Sequence, residues 1–366
     1  MTDRPDSTDS STASSGSTST PVEAGSRPPA EGGSPTPAGQ AEPPPQPARL
    51  GLRTFSLEGR RAPGLYLVGW LGTVLGLPIF GVAFLSGVAQ SGRIILLVIG
   101  AALLGLGLVA ASGAQALERR DRTDLAYRGP SPFLVFAASV PLSILVTLPI
   151  ALAGADPDAP TVTLVAVLLT AAIWLGLVGS TVVGPGALSW REIAPGLVGV
   201  APGRIAADVA AGVAWAVPVV LVTAILGALL IGIFGAAPEP PIRVPRDGVG
   251  LILSLVAAAV VAPISEELFY RGFATTAWAR SYGPTRGIVE GALFFAFVHV
   301  LTLSGPDFGS AGRAALVAFL ARIPVALALG WIFLRRASLP ASIGLHATFN
   351  GLLVLIAFWG SSAGGG

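Results

Sequence analysis

Nine stretches of this chain are apolar for about 20 residues each, long enough to cross the hydrocarbon core of a bilayer as helices. They fall at roughly 64–88, 94–114, 132–154, 161–183, 206–235, 249–278, 287–303, 314–334 and 339–359, and the crossings number eight if one segment is re-entrant. Inside lipid a segment must satisfy its own backbone hydrogen bonds, which helices do. The expectation is therefore all-α: a polytopic membrane helical bundle of eight or nine transmembrane helices. Composition agrees, since 11% of residues are charged where soluble proteins carry about a quarter, and mean hydropathy is +0.74. Glycines such as Gly69, Gly72, Gly76 and Gly81 suit close helix approach in lipid.

Ahead of the first span, residues 1 to about 48 are rich in Ser, Thr, Pro and Gly and have almost no large apolar side chains. Such a stretch cannot bury enough surface to offset its ordering entropy, and it lacks the apolar core of a signal peptide. It reads as a disordered tail over residues 1–60, ending in a basic approach of Arg49, Arg53, Arg60 and Arg61. N-terminal transmembrane helices follow over 61–248, and a C-terminal transmembrane core occupies 249–360.

All 22 basic side chains are arginine. Arg119, Arg120, Arg122 and Arg128, then Arg191 and Arg204, Arg280 and Arg286, and Arg335 and Arg336 fall in alternate loops, on the side of the tail. The positive-inside rule makes that side cytoplasmic. Arg243 and Arg246, next to Glu239 and Asp247, dissent, as do Arg93 and Arg313. The sequence has no cysteine, which excludes disulfides and thiolate metal sites, and only His299 and His346 supply imidazole. Nothing in it points to nucleic acid.

Against this apolar background residues 265–271, Ser-Glu-Glu-Leu-Phe-Tyr-Arg, are anomalous. A charge at the centre of a membrane helix costs roughly 2.5 to 3.5 kcal/mol on insertion scales, so an ionisable residue there is by default a functional-site hypothesis. Glu267 and Arg271 are i and i+4 with the acid first, the favourable direction for an intrahelical ion pair. Glu266 points about 100° away and is left free. Phe295 and His299, and His346 and Asn350, repeat the i, i+4 relation. Glu266 lies roughly 18 Å from its helix end, with His299 at a similar depth and His346 about 9 Å in, so the three can converge.

Such a pocket admits two hydrolytic chemistries. In one, Glu266, His299 and His346 bind Zn2+, whose water has a pKa near 7. In the other no metal takes part: Glu266 is general base to a water that His299 also holds, with Asn350 and His346 donating to the oxyanion. Bland readings stand beside these. The Glu267–Arg271 pair is also what structural neutralisation requires, membrane histidines often only pack, and Phe295 reads as packing. Glu290 suits a helix N-terminus, Asp208 an interface, and Arg322 either a counter-ion or a snorkelling side chain.

The ordered set of Glu266-Glu267-x-x-x-Arg271, Phe295-x-x-x-His299 and His346-x-x-x-Asn350 resembles the CPBP family of intramembrane proteases. That family includes CAAX prenyl proteases and bacterial proteins linked to bacteriocin self-immunity. The likeness covers about residues 250–357, including residues 327–331 and 338–340. It implies that Glu266 activates water, that Glu267 and Arg271 support it, and that His299, His346 and Asn350 complete the site. It further implies a water-accessible cavity opening to the cytoplasmic side. The expected function is cleavage of a membrane-associated protein or peptide within the lipid bilayer by a metalloendopeptidase-type enzyme. Its expected place is a bacterial plasma membrane, on the all-arginine, alanine- and glycine-rich composition. A non-catalytic scaffold or immunity factor is the alternative. A proton-coupled transporter fits less well, because no half-repeat or broken helix pair accompanies the motifs.

Overall fold

The computed structural model describes residues 56–85, 89–238, 247–301, 303 and 307–363. Most of the expected tail lies outside these residues, as do Glu239, Arg243 and Arg246. The described chain is an all-α bundle: α1 (Pro63–Val82), α2 (Gln90–Arg119), α3 (Pro132–Leu152), α4 (Pro160–Val178), the short α5 (Trp190–Ile193) and α6 (Pro202–Phe234). A long rod, Gly248–Tyr282, comprises α7 (Gly248–Leu255), α8 (Ala262–Glu266) and α9 (Thr276–Tyr282), joined by π-helical turns. Then come α10 (Pro284–Val298), α11 (Phe308–Arg336) and α12 (Leu339–Ala363). Eight helices of the described chain are long and apolar enough to cross a membrane.

Side-chain pairing shows which helix ends share a face. Arg280 in α9 pairs with Glu192 of α5 at 2.6 Å, and Asp208, one and a half turns into α6, pairs with Arg336 at the end of α11 at 2.6 Å. The Leu339 N–H that opens α12 donates to Pro195 O at 2.8 Å. Phe133 at the start of α3 packs on Trp278 of α9 with centroids 5.2 Å apart. These contacts gather the α2–α3, α4–α6, α9–α10 and α11–α12 connections, with their arginines, at one face of the bundle. Asp208 is not merely interfacial as its position suggested: it is 2% exposed and ties two helices together.

The segment expected as a ninth span takes a different form. Helix α10 has 15 residues, about 22 Å, and stops at His299. Because α10 starts and α11 ends at the arginine face, the chain between them must pass to the other face. The helix covers about half of that passage, so His299 lies at a helix end inside the bundle.

Small residues set the closest contacts. A Cβ on Gly72 would lie 2.7 Å from Gly107 Cα across α1 and α2, and one on Gly344 would lie 2.6 Å from Val209 O across α12 and α6. Of the glycines named from the first span, Gly69, Gly72 and Gly76 serve this contact and Gly81 does not.

The rod departs from a regular α-helix for a reason written at Pro263. Proline has no N–H and its ring crowds the carbonyl four residues back. The backbone widens ahead of it into the π-helical Val256–Val261, where the Ala262 N–H bonds Ala257 O, five residues back. A second π-helical stretch, Glu267–Thr275, follows. Wide turns of this kind recur at functional sites, and Glu266 stands between the two.

Candidate active site

Glu267 and Arg271 are the most deeply buried charges among the described residues, at 0% and 1% exposed. Arg271 Nη1 donates to Glu267 Oε1 at 2.8 Å and its Nη2 donates to Ala326 O in α11 at 3.3 Å. The guanidinium lies over the Phe295 ring, 4.3 Å from its centroid, which turns an expected packing residue into a cation–π partner. His346 Nδ1 donates to Glu267 Oε1 at 2.8 Å, and Ser342 Oγ donates to Glu267 Oε2. Three donors on one carboxylate satisfy the buried charge, as burial in a low-dielectric interior demands.

Glu266 is placed oppositely. Its Oε2 is buried without a hydrogen-bond partner among the described residues. His299 Nε2 lies 3.5 Å from it and His346 Nε2 lies 3.8 Å away. His299 Nδ1 is 2.7 Å from Phe295 O, which can only accept, so that nitrogen carries the proton. His346 Nδ1 is committed to Glu267 in the same way. In the neutral rings both Nε2 atoms therefore present lone pairs to a carboxylate oxygen. Three acceptors facing one another are satisfied only by a donor among them: a water, a proton or a cation.

Asn350 does not face this convergence through its amide nitrogen. Its Nδ2 donates to Ala258 O at 2.9 Å. That carbonyl needs it: the Ala262 N–H has gone to Ala257 O, and Pro263 has no N–H to offer. The carboxamide expected as an oxyanion donor instead caps the π-helical turn that leads into Glu266. His346 likewise spends its one neutral-state proton on Glu267.

The depths reconcile through the α5 loop. His346 is only about 10 Å into α12, whereas Glu266 is about 24 Å from the end of the rod. Ile193 is fully buried, and its carbonyl fills the place that a side chain on Gly272 would take. The loop thus dips into the bundle, and α12 starts from Pro195 on that loop rather than at the surface. Arg322 stays apart: its Nη1 donates to Ala318 O at 3.1 Å, and it makes no ion pair among the described residues.

A cavity of about 610 Å³ reaches Glu266. It is lined by Thr147 and Ile150 near the end of α3, Pro157 in the α3–α4 connection, and Val162, Ala166 and Trp174 in α4. Since α3 starts at the arginine face, this cavity opens toward the opposite one. The resemblance implied an opening on the cytoplasmic side, which the arginine bias equates with the arginine face; this cavity lies the other way.

Two imidazole nitrogens and a carboxylate are ligands of the kind zinc takes. Among the described residues, however, no group of three His, Asp or Glu side chains is arranged to hold a metal ion. Glu266, His299 and His346 converge without forming a ready ligand set.

Residues 248–352 match the model of a protein family, type II CAAX prenyl endopeptidase Rce1-like. This segment is similar to that family. The match takes in the rod, α10, α11 and the first half of α12, and so includes Glu266, Glu267, Arg271, His299, His346 and Asn350. It supports the proteolytic character expected from the motifs. No curated protein and no solved structure gives a significant match to the chain.

Sequence reasoning missed Ser342, although its signal was present: Ser342, His346 and Asn350 are spaced i, i+4, i+8 along one face of α12. The carbonyls of Ala258 and Ala326 carry no side-chain signal and emerge only from the fold.

Proposed function

We propose that this protein is an intramembrane endopeptidase in which Glu266 activates the attacking water. The observation that carries the reading is the buried, unpartnered Glu266 Oε2 facing two imidazole Nε2 atoms, in a residue that a cavity reaches. A water there donates one proton toward Glu266 and the other toward an imidazole. Glu266 takes its proton as the water oxygen bonds to the scissile carbonyl carbon. Transfer of that proton to the leaving nitrogen then accompanies cleavage of the C–N bond. The oxyanion is assigned to His346 when protonated at Nε2, since Glu267 at Nδ1 stabilises the imidazolium as a buried carboxylate does in hydrolytic triads. Arg271 in turn neutralises Glu267.

The donor types, though not arranged as a ready ligand set, suit a second reading in which Glu266, His299 and His346 would hold Zn2+. The ion would supply Lewis acidity and a water of pKa near 7. The substrate is a membrane-associated protein or peptide, and the protein's place is a bacterial plasma membrane with its arginine face and tail cytoplasmic. Prenylated substrates do not fit a bacterial host.

The test is terminal proteomics of membranes from cells expressing the wild type, Glu266→Gln or His299→Ala at equal abundance. New protein ends present with the wild type and lost with both variants are expected. Cleavage retained in either variant refutes the assignment, and a partner phenotype still supported by both points to a scaffold or immunity factor. Elemental analysis of the purified protein separates the two chemistries, because zinc retained by the wild type and lost in His346→Ala favours the metal.

A further inference from the structure

We infer that the substrate reaches Glu266 from the face opposite the arginines, through the cavity between α3 and α4, as a short apolar stretch of a membrane polypeptide that has left its helix. The inference rests on the endopeptidase reading and adds to it a route and a substrate class.

The direction follows from topology. Helix α3 leaves the arginine face, where Phe133 packs on Trp278, and ends at Leu152; α4 returns from Pro160. The cavity is lined by the far half of α3, by Pro157 of the connection and by α4 as far as Trp174, and it ends at Glu266. Toward the arginine face the ground beside the rod is taken: Ile193 is packed against Gly272, and Trp174 stacks on Phe269 with centroids 5.1 Å apart. Trp174 is itself fixed by its Nε1 donating to Ser139 Oγ at 3.1 Å.

The form of the substrate follows from volume and lining. A helix is about 10 to 12 Å across and needs about 30 Å of length to span a bilayer, far more than a cavity of about 610 Å³ encloses. A whole membrane span does not fit. An intact turn would also keep its carbonyls bonded to N–H groups four residues on, shielded from attack. A short unwound stretch fits both limits. The lining is mainly aliphatic, suited to apolar side chains, while Thr163 and Thr170 add hydroxyls that can pair with the backbone groups unwinding releases.

The absence of cysteine from the chain makes the test direct. Thr163→Cys near the mouth, Ala166→Cys a turn deeper and Arg335→Cys on the arginine face are each treated with a membrane-impermeant maleimide, in intact cells and in inverted vesicles. Wild-type membrane abundance and thermal unfolding of the unlabelled variants establish that they fold, and cleavage after labelling is compared with that of each unlabelled variant. The expected result is that Thr163→Cys and Ala166→Cys label from the side opposite to Arg335→Cys, and that labelling them stops cleavage while labelling Arg335→Cys does not. Labelling from the same side as Arg335→Cys overturns the route. Full cleavage after complete labelling also overturns it and leaves lipid as the occupant of the cavity. Absence of any Glu266-dependent cleavage in the wild type is a separate failure, of the endopeptidase reading, and the sidedness of labelling is read independently of it.

Discussion

Replacing each of the two adjacent acids by its amide should have very unequal consequences for stability. Glu267→Gln keeps the shape but leaves Arg271, 1% exposed, without its counter-charge. It also places an amide N–H₂ where Arg271, His346 and Ser342 all donate. Breaking a buried ion pair from one side costs about 3 to 5 kcal/mol, because the surviving charge stays buried. At about 2 to 4 °C per kcal/mol this lowers the unfolding temperature by roughly 6 to 20 °C. Glu266→Gln removes no hydrogen bond at Oε2, which has no donor, and its shift should stay near the ordinary point-change value of about 1 kcal/mol. The assay is thermal unfolding of the detergent-solubilised protein by tryptophan fluorescence, read beside cleavage, which both changes should abolish. The double change Glu267→Gln with Arg271→Met removes both charges and should recover most of the lost stability. The division of labour is refuted if Glu266→Gln melts as low as Glu267→Gln, or if the double variant is no better than the single.

Asn350→Asp, nearly isosteric but unable to donate as a carboxylate, should strand Ala258 O and lower stability by about 1 to 3 kcal/mol, measured by the same melt; Asn350→Leu should do likewise. A melt unchanged by both would show that the π-helical turn does not need its cap. At the arginine face, the Glu192 carboxyl is held down to about 2 by the Ser189 backbone N–H and then by Arg280. A depressed carboxylate stabilises the fold above its unfolded value of about 4.3 and loses that contribution as pH falls through its folded value. Glu192→Ala should therefore lower the melt at pH 7 by an amount that shrinks below pH about 4 and vanishes near pH 2. Glu192 is 40% exposed, so solvent screening keeps the effect to about 1 kcal/mol or less. A difference that persists undiminished at pH 2 would refute the sign.

Much of this architecture was legible because lipid leaves a chain few choices. Apolar length alone predicted the helices, and the alternate placement of arginines predicted the face they share. The i, i+4 spacing of Glu267 and Arg271 anticipated a real ion pair, and the use of both histidines anticipated their convergence on Glu266. What stayed hidden were the consequences of backbone geometry. Pro263 announces a break in the ladder, but not that the break becomes a π-helical turn whose stranded carbonyl takes the Asn350 amide. Nor does the composition of 287–303 say that its helix ends at His299. The depth of His346 was misjudged because α12 starts from the dipping α5 loop, a tertiary contact with no local signature.

The polar groups at membrane depth show why two acids stand side by side. Glu267 has three donors, Arg271 has two acceptors and an aromatic face, His346 is held at Nδ1 and Asn350 is spent on a carbonyl. Each is satisfied, and satisfaction fixes it in place. A single acid in this position would collect those same donors and have its oxygens occupied by them. With Glu267 absorbing them, the adjacent Glu266 is held on the same rod yet kept free of direct donors, facing only imidazole lone pairs. The pairing therefore makes the unsatisfied atom possible: one carboxylate anchors the neighbouring helices so that the other can remain available to water. An Arg271 alternative in which the guanidinium swung to Glu266 would forfeit both the Ala326 carbonyl and the Phe295 face, which holds the arrangement to one state.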